Sequence, residues 1–179
     1  MITAQKIGQT NLTMKRLTFI RHAKSDWENA AVQDIDRHLN ERGYADAYNA
    51  ATWYAENKSV PDALVSSTAT RALNTALIFA RTLQFNMNRF YLEKNLYEIK
   101  LPVLLQLIQN FDQEFNHLAL FGHNPATTNV CNELATDWYI DNVPTCGIVS
   151  LTFDIQHWKE LEANTGKVDY YRFPKEYKQ

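Results

Sequence analysis

No apolar stretch in this chain approaches the roughly 20 residues that a membrane-crossing helix requires. Charge of one sign is also missing: a formal net charge of −2 leaves no footprint for nucleic acid or for an anionic lipid surface. An anion-binding site, if present, must be a local concentration of positive charge. Cysteine is scarce, with only Cys131 and Cys146 and no Cys-x-x-Cys spacing. That pattern predicts two reduced, buried thiols in a cytoplasmic protein and argues against a disulfide framework or a cysteine metal site. Met1–Thr13 holds one lysine but no apolar segment, so it does not read as a secretory leader. Repeats, low-complexity tracts and Pro/Gly-rich linkers are absent as well. A chain of 179 residues with 45% apolar content is then expected to form one domain around a proper core.

What is present is an alternation of short apolar runs and helical stripes. Leu17–Ile20 is a buried-strand pattern that stops at Arg21-His22. Residues 1–14 before it are polar and unpatterned and read as a flexible arm, leaving 15–179 as the domain. Residues 26–40 carry Asp26, Glu28, Asp34, Asp36 and Arg37 and suit a surface excursion. Asn40 is placed to cap a helix whose stripe is Tyr44, Ala47, Tyr48, Ala51 and Tyr54, with Gly43 an unfavourable residue near its start.

Ala63–Val65 is a second strand, closing on Ser66-Ser67-Thr68. The stripe Ala72, Thr75, Ala76, Phe79, Ala80, Leu83 follows, with Arg71 at its beginning. Phe90–Leu92 reads as a third strand, Asn95–Ile99 as a loop, and Leu104, Leu107, Ile108 and Phe111 as another helix. His117–Phe121 is a fourth strand, running into Gly122-His123-Asn124-Pro125. Asn124 is there expected at the N-cap and Pro125 at the first helical position, with Thr128, Cys131 and Leu134 facing inward. Residues 136–145 form a loop. Cys146–Phe153 and Val168–Phe173 make an antiparallel pair at one sheet edge, with Trp158 and Leu161 packing over it. The fold class is α/β: three layers, α/β/α, with a mostly parallel central sheet and an antiparallel strand pair near the C-terminus.

In such a sheet ligands bind at the carboxyl ends of the strands. Arg21-His22, Arg71 and His123 all fall there, and Glu98 lies in a loop within reach. Each has an ordinary explanation alone: a strand-end histidine, a solvated helix arginine, a helix-capping histidine. Together they meet the needs of phosphoryl transfer to nitrogen. His22 offers a neutral imidazole as nucleophile, kept neutral by nearby guanidiniums. Arg21 and Arg71 offer planar forks for the equatorial oxygens, and His123 a ring N–H at a helix start. His22 with His123 as metal ligands is the alternative. It lacks a third ligand at the right spacing and has an arginine beside it. His38, His117 and His157 have no such company.

The segment Arg21-His22-Ala23-Lys24-Ser25-Asp26-Trp27 resembles the Arg-His-Gly signature of the histidine phosphatase superfamily, with Ala23 in place of the usual glycine. Asp36–Gly43, Ser66-Ser67 through Arg71-Ala72, Leu96-Tyr97-Glu98 and Gly122–Pro125 are similar to the segments that follow in family order. The short chain looks most like the small bacterial phosphohistidine phosphatases of the SixA type. The resemblance implies His22 as nucleophile, with Arg21, His22, Arg71 and His123 forming the phosphate pocket, and no metal or other cofactor. It offers Glu98 as a candidate acid, a role that SixA-type members often leave unfilled. The implied substrate is a phosphohistidine-bearing protein. A small phosphorylated metabolite, or phosphate binding without turnover, are the alternatives; nucleic acid and membrane are not expected partners.

Overall fold

The computed structural model describes residues 14–27 and 31–177. The proposed arm, except Met14, and Glu28 of the surface excursion lie outside the described residues.

Six strands form one sheet: β1 (Lys15–Arg21), β2 (Ala63–Ser66), β3 (Phe90–Leu92), β4 (His117–Gly122), β5 (Ile148–Phe153) and β6 (Lys167–Arg172). Their spatial order is β3-β2-β4-β1-β5-β6. The first four strands in that order are mutually parallel, and β5 and β6 continue the sheet antiparallel. The three-layer expectation with an antiparallel C-terminal pair therefore holds, with strand bounds moved by one or two residues.

Period-2 alternation in β1 shows why the sheet needs cover on both faces. Leu17 and Phe19 enter one core with α3 (Leu101–Gln109) and α4 (Ala126–Leu134), while Ile20 enters the other with α1 (Glu41–Asn57) and α2 (Thr70–Thr82). Trp158 and Leu161 are fully buried in the first core, and the Trp158 indole donates to the Phe115 carbonyl at 2.8 Å. Both cysteines are free and buried.

Three local expectations need correction. Tyr44 and Tyr48 are not on the inner face of α1; they are 40% and 47% exposed, and Ala47, Ala50, Ala51 and Tyr54 make the contact. The alanines let the helix lie close to the sheet, which turns the flanking rings outward. Second, α4 starts at Ala126, with Pro125 at the N-cap position after a cis Asn124–Pro125 peptide. Asn124 still caps, its side-chain oxygen accepting from the Thr128 amide at 3.3 Å. Third, Asn95–Ile99 is not plain loop, since Lys94–Tyr97 forms a 3-10 turn, and α3 ends before Phe111.

Gly43 has a positive reason to be glycine. A Cβ there would sit 2.0 Å from the Lys24 carbonyl oxygen, an impossible approach. Asn40 meanwhile donates its backbone N–H to that same carbonyl at 3.0 Å and accepts from Gly43 through its side chain at 2.9 Å. The first turn of α1 is thus pressed against the loop that follows His22. That contact links the helix to the functional edge of the sheet.

Candidate active site

Parallel pairing of β1, β2 and β4 brings their carboxyl ends to one edge, and the residues just beyond them meet there. The backbone N–H of His22 donates to the Gly122 carbonyl at 2.9 Å, and that of Ser67 donates to Phe121 at 2.9 Å. The rings of His22 and His123 then lie 5.0 Å apart between centroids. Arg71 arrives from the first turn of α2, and its Nε donates to Nε2 of His22 at 3.3 Å. Arg21 sits at the last position of β1, with Nη1 donating to the Val143 carbonyl at 2.7 Å. The four residues expected to converge do so, and His22, Arg71 and His123 are all buried.

Hydrogen bonds set the tautomer of His22. Nδ1 of His22 faces the Ala23 carbonyl at 2.7 Å and must carry the proton. Nε2 is therefore the lone-pair nitrogen, as its acceptance from Arg71 requires. Burial, foremost, and the guanidiniums of Arg71, Arg21 and Arg37 push the His22 pKa down to about 4, against the opposing pull of the Ala23 carbonyl. His123 is pushed down to about 3, by burial and then by His22 and Arg71. Both rings are neutral at pH 7. His123 Nε2 lies 2.9 Å from the Ser67 hydroxyl, leaving Nδ1 buried without a partner among the described residues. Arg21 Nε is likewise buried with no partner among them. Two unused polar atoms beside a neutral, oriented imidazole are a ready receptor for the oxygens of an anion.

Around these groups is an open cleft of about 740 Å³. Among the described residues, six cationic side chains line it, from Arg21, Lys24, Arg37, Arg42, Arg71 and Lys100, against two carboxylates, Asp34 and Glu98. In a chain of net charge −2 this is the local positive concentration that an anion site demands. Among the described residues no group of three His, Cys, Asp or Glu side chains is placed to hold a metal ion.

Glu98 does reach the cleft, as an exposed residue directly after the 3-10 turn Lys94–Tyr97. It makes no hydrogen bond or ion pair with the described residues, so nothing orients its carboxyl group. The remaining histidines stay apart from the site. His117 is a core residue bonded to Thr18 and Tyr54, His38 is exposed beside Asp26, and His157 caps its own turn.

Sequence reasoning assigned no role to Asp34, Arg37 or Tyr97, all of which line the cleft. Asp34 accepts from Arg71 Nη2 at 2.9 Å, from Arg37 Nη2 at 2.8 Å and from the Tyr97 hydroxyl. The Tyr97 hydroxyl, foremost, and the two guanidiniums hold its pKa down at about 2. The available signal was weak: an aspartate three positions before an arginine in a polar stretch.

Residues 17–133 match the model of the histidine phosphatase superfamily (branch 1), a span running from β1 into α4 that includes Arg21, His22, Asp34, Arg37, Arg71, Tyr97, Glu98 and His123. An uncharacterised protein of Mycobacterium tuberculosis is 30% identical over 165 residues, covering 87% of this chain and 100% of its own length. Among solved structures, a SixA protein from Agrobacterium tumefaciens superposes with a TM-score of 0.73 at 24% identity, covering 88% of this chain and 97% of its own. The protein histidine phosphatase SixA complexed with tungstate gives 0.78 at 19% identity, covering 91% and 99%. At those identities the two structures establish a shared fold.

Proposed function

The chain belongs to the histidine phosphatase superfamily, and from that membership we propose that it is a metal-independent, cytoplasmic phosphatase whose nucleophile is His22. The carrying observation is the His22 ring itself: neutral, aimed through its Nδ1–H bond to Ala23, with Nε2 against Arg71 and the charges of Arg71 and Arg21 both acting on the ring.

In the first half-reaction the Nε2 lone pair attacks phosphorus. An N–P bond to His22 forms as the bond to the leaving group breaks. Arg21, Arg71 and the His123 ring N–H stabilise charge on the equatorial oxygens, where preorganised donors act most strongly. Water then attacks the phosphoryl group in line, restoring neutral His22 and releasing inorganic phosphate. The guanidiniums supply the positive charge that a metal provides elsewhere.

Phosphohistidine on a protein is the proposed substrate. Breaking its N–P bond releases an imidazole, which takes little help from an acid, and Glu98 makes no hydrogen bond or ion pair with the described residues that would orient it as one. The cleft is open enough for a side chain presented by another protein, and a neighbour of the same fold is a protein histidine phosphatase. A phosphomonoesterase using Glu98 is the second reading, supported by the place of Glu98 on the cleft wall.

Rapid quenching with labelled substrate tests the nucleophile. Acid-labile, alkali-stable phosphate should be trapped on the peptide holding His22, and His22→Ala should stay folded but inactive. Turnover should also survive exhaustive chelation. Near-normal turnover by His22→Ala would falsify the mechanism.

A further inference from the structure

Asp34 carries more of the site than a surface carboxylate should. It lies in a 3-10 turn, Asp34–Asp36, that has no buried residue. Its side chain is half-exposed. Yet it takes two of the three hydrogen bonds that the Arg71 guanidinium makes to the described residues. Arg71 Nη1 donates to the Asp34 backbone carbonyl and Nη2 donates to its Oδ2 at 2.9 Å, while Nε goes to His22 Nε2 at 3.3 Å.

Taking the phosphatase reading as its basis, we propose that Asp34 is the positioning residue of the site, clamping the terminal nitrogens of Arg71 so that its Nε edge faces the reacting nitrogen of His22. A guanidinium is a rigid planar fork on a flexible stem, so fixing one edge fixes the direction of the other. Asp34 is in turn held firmly. Its Oδ1 accepts from Arg37 Nε at 2.9 Å and from Arg37 Nη2 at 2.8 Å, and its Oδ2 also accepts from the Tyr97 hydroxyl. The Arg37 guanidinium lies 3.4 Å from the centre of the Trp27 ring, so the clamp rests on a stacked base.

The count of acceptor positions rules on what Asp34 can do. A carboxylate has about four lone-pair sites, and Arg71, Arg37 twice and Tyr97 supply a donor for each. Asp34 has nothing left for substrate. It acts through Arg71, and a role as proton donor is closed to it. The alternative is that Asp34 competes with the phosphoryl group for Arg71, as an internal anion. The two roles have opposite signs in experiment.

The test uses Asp34→Ala and Asp34→Asn in the full chain, with aryl phosphate turnover, calorimetric binding of orthovanadate and thermal melting. Asp34→Ala should lower kcat by about 10–10²-fold, the usual scale for a misplaced catalytic group, and weaken vanadate binding, with the melting temperature unchanged. Asp34→Asn keeps an acceptor oxygen and should recover part of both. In an Arg71→Ala background, Asp34→Ala should weaken vanadate no further, because the group it positions is gone. Tighter vanadate binding by Asp34→Ala would establish the internal anion and overturn the proposal. So would unchanged kcat, or a further loss of vanadate affinity on top of Arg71→Ala. A wild-type protein that neither turns over aryl phosphate nor binds vanadate sinks the phosphatase reading and takes this inference with it. An active wild type beside an unaltered Asp34→Ala sinks this inference alone.

Discussion

His22 donates its Nδ1–H to the carbonyl oxygen of its own neighbour, Ala23, at 2.7 Å. Ala23 is fully buried and its N–H is taken by the Thr75 hydroxyl at 3.0 Å, so the acceptor cannot drift. The ring is thereby fixed from behind by its own chain, with the opposite nitrogen left for chemistry. Most consequences of the site follow from that contact.

One concerns pH. Neutral His22 is the reactive form, and its pKa is lowered to about 4 from an ordinary value of 6.5. The acidic limb of kcat/KM, which reports the free enzyme, should therefore fall only as pH drops below ~5. It should not show a break near 6.5. An aryl phosphate corrected for its own ionisation gives the measurement, and a midpoint near 6.5 counts against a buried, neutral nucleophile.

Stability should respond to the same burial. His22 is lowered to about 4, and His117 and His123 to about 3. Below pH 6.5 the unfolded chain binds protons that the folded chain refuses. Their contribution is complete above pH 6.5 and is lost as pH falls towards 4 and 3. The slope is about 1.4 kcal/mol per pH unit for each histidine. Urea unfolding between pH 7 and pH 4 should show a declining free energy, and a flat profile would contradict the burial of these rings.

Arg21 and Arg71 should separate charge from geometry. Alanine at Arg21 removes a guanidinium that lines the cleft with His22 and should lower kcat by ~10²–10³-fold. Lysine restores the charge without the planar fork and should recover little of it. Circular dichroism and melting curves control for folding. Full rescue by lysine would mean that the pocket needs only a point charge at that position.

Glu98→Gln distinguishes the two substrate classes. A general acid assisting an alkoxide contributes ~10²–10⁴-fold, whereas a protonated imidazole leaves with little help. With phosphohistidine as the natural substrate, the variant should dephosphorylate a phosphohistidine protein at close to the wild-type rate. A collapse on both phosphohistidine and aryl phosphate would favour the phosphomonoesterase.

Gly43 is a stability prediction at the edge of the site. Gly43→Ala ordinarily strengthens a helix by roughly 1 kcal/mol. Here the added methyl would meet the Lys24 carbonyl at 2.0 Å, so the variant should melt at a lower temperature. The displaced Lys24 lies two residues beyond His22, and activity should drop with it. A more stable Gly43→Ala would show that the helix can shift away from the loop freely.

Local pattern in the sequence was sufficient for the sheet and for the strand-end residues. Parallel strands linked by helices must all end on one side, so Arg21-His22, Arg71 and His123 were bound to share an edge once the alternation was read. The Asn40 cap and the α2 stripe are equally local, because capping and periodicity involve residues a few positions apart. The exposure of Tyr44 and Tyr48 was not local, since it depends on how closely the alanines of α1 approach the sheet. Nor was the need for glycine at position 43, which comes from a carbonyl nineteen residues earlier folded back against it. Asp34, Arg37 and Tyr97 reach the cleft on short 3-10 segments and the irregular chain beside them, where no periodicity tells the direction of a side chain. The convergence of Arg71 and Tyr97 on the Asp34 carboxylate, already held by its near neighbour Arg37, belongs to the tertiary structure, because only the packed sheet edge brings residues 71 and 97 within hydrogen-bonding distance of residue 34.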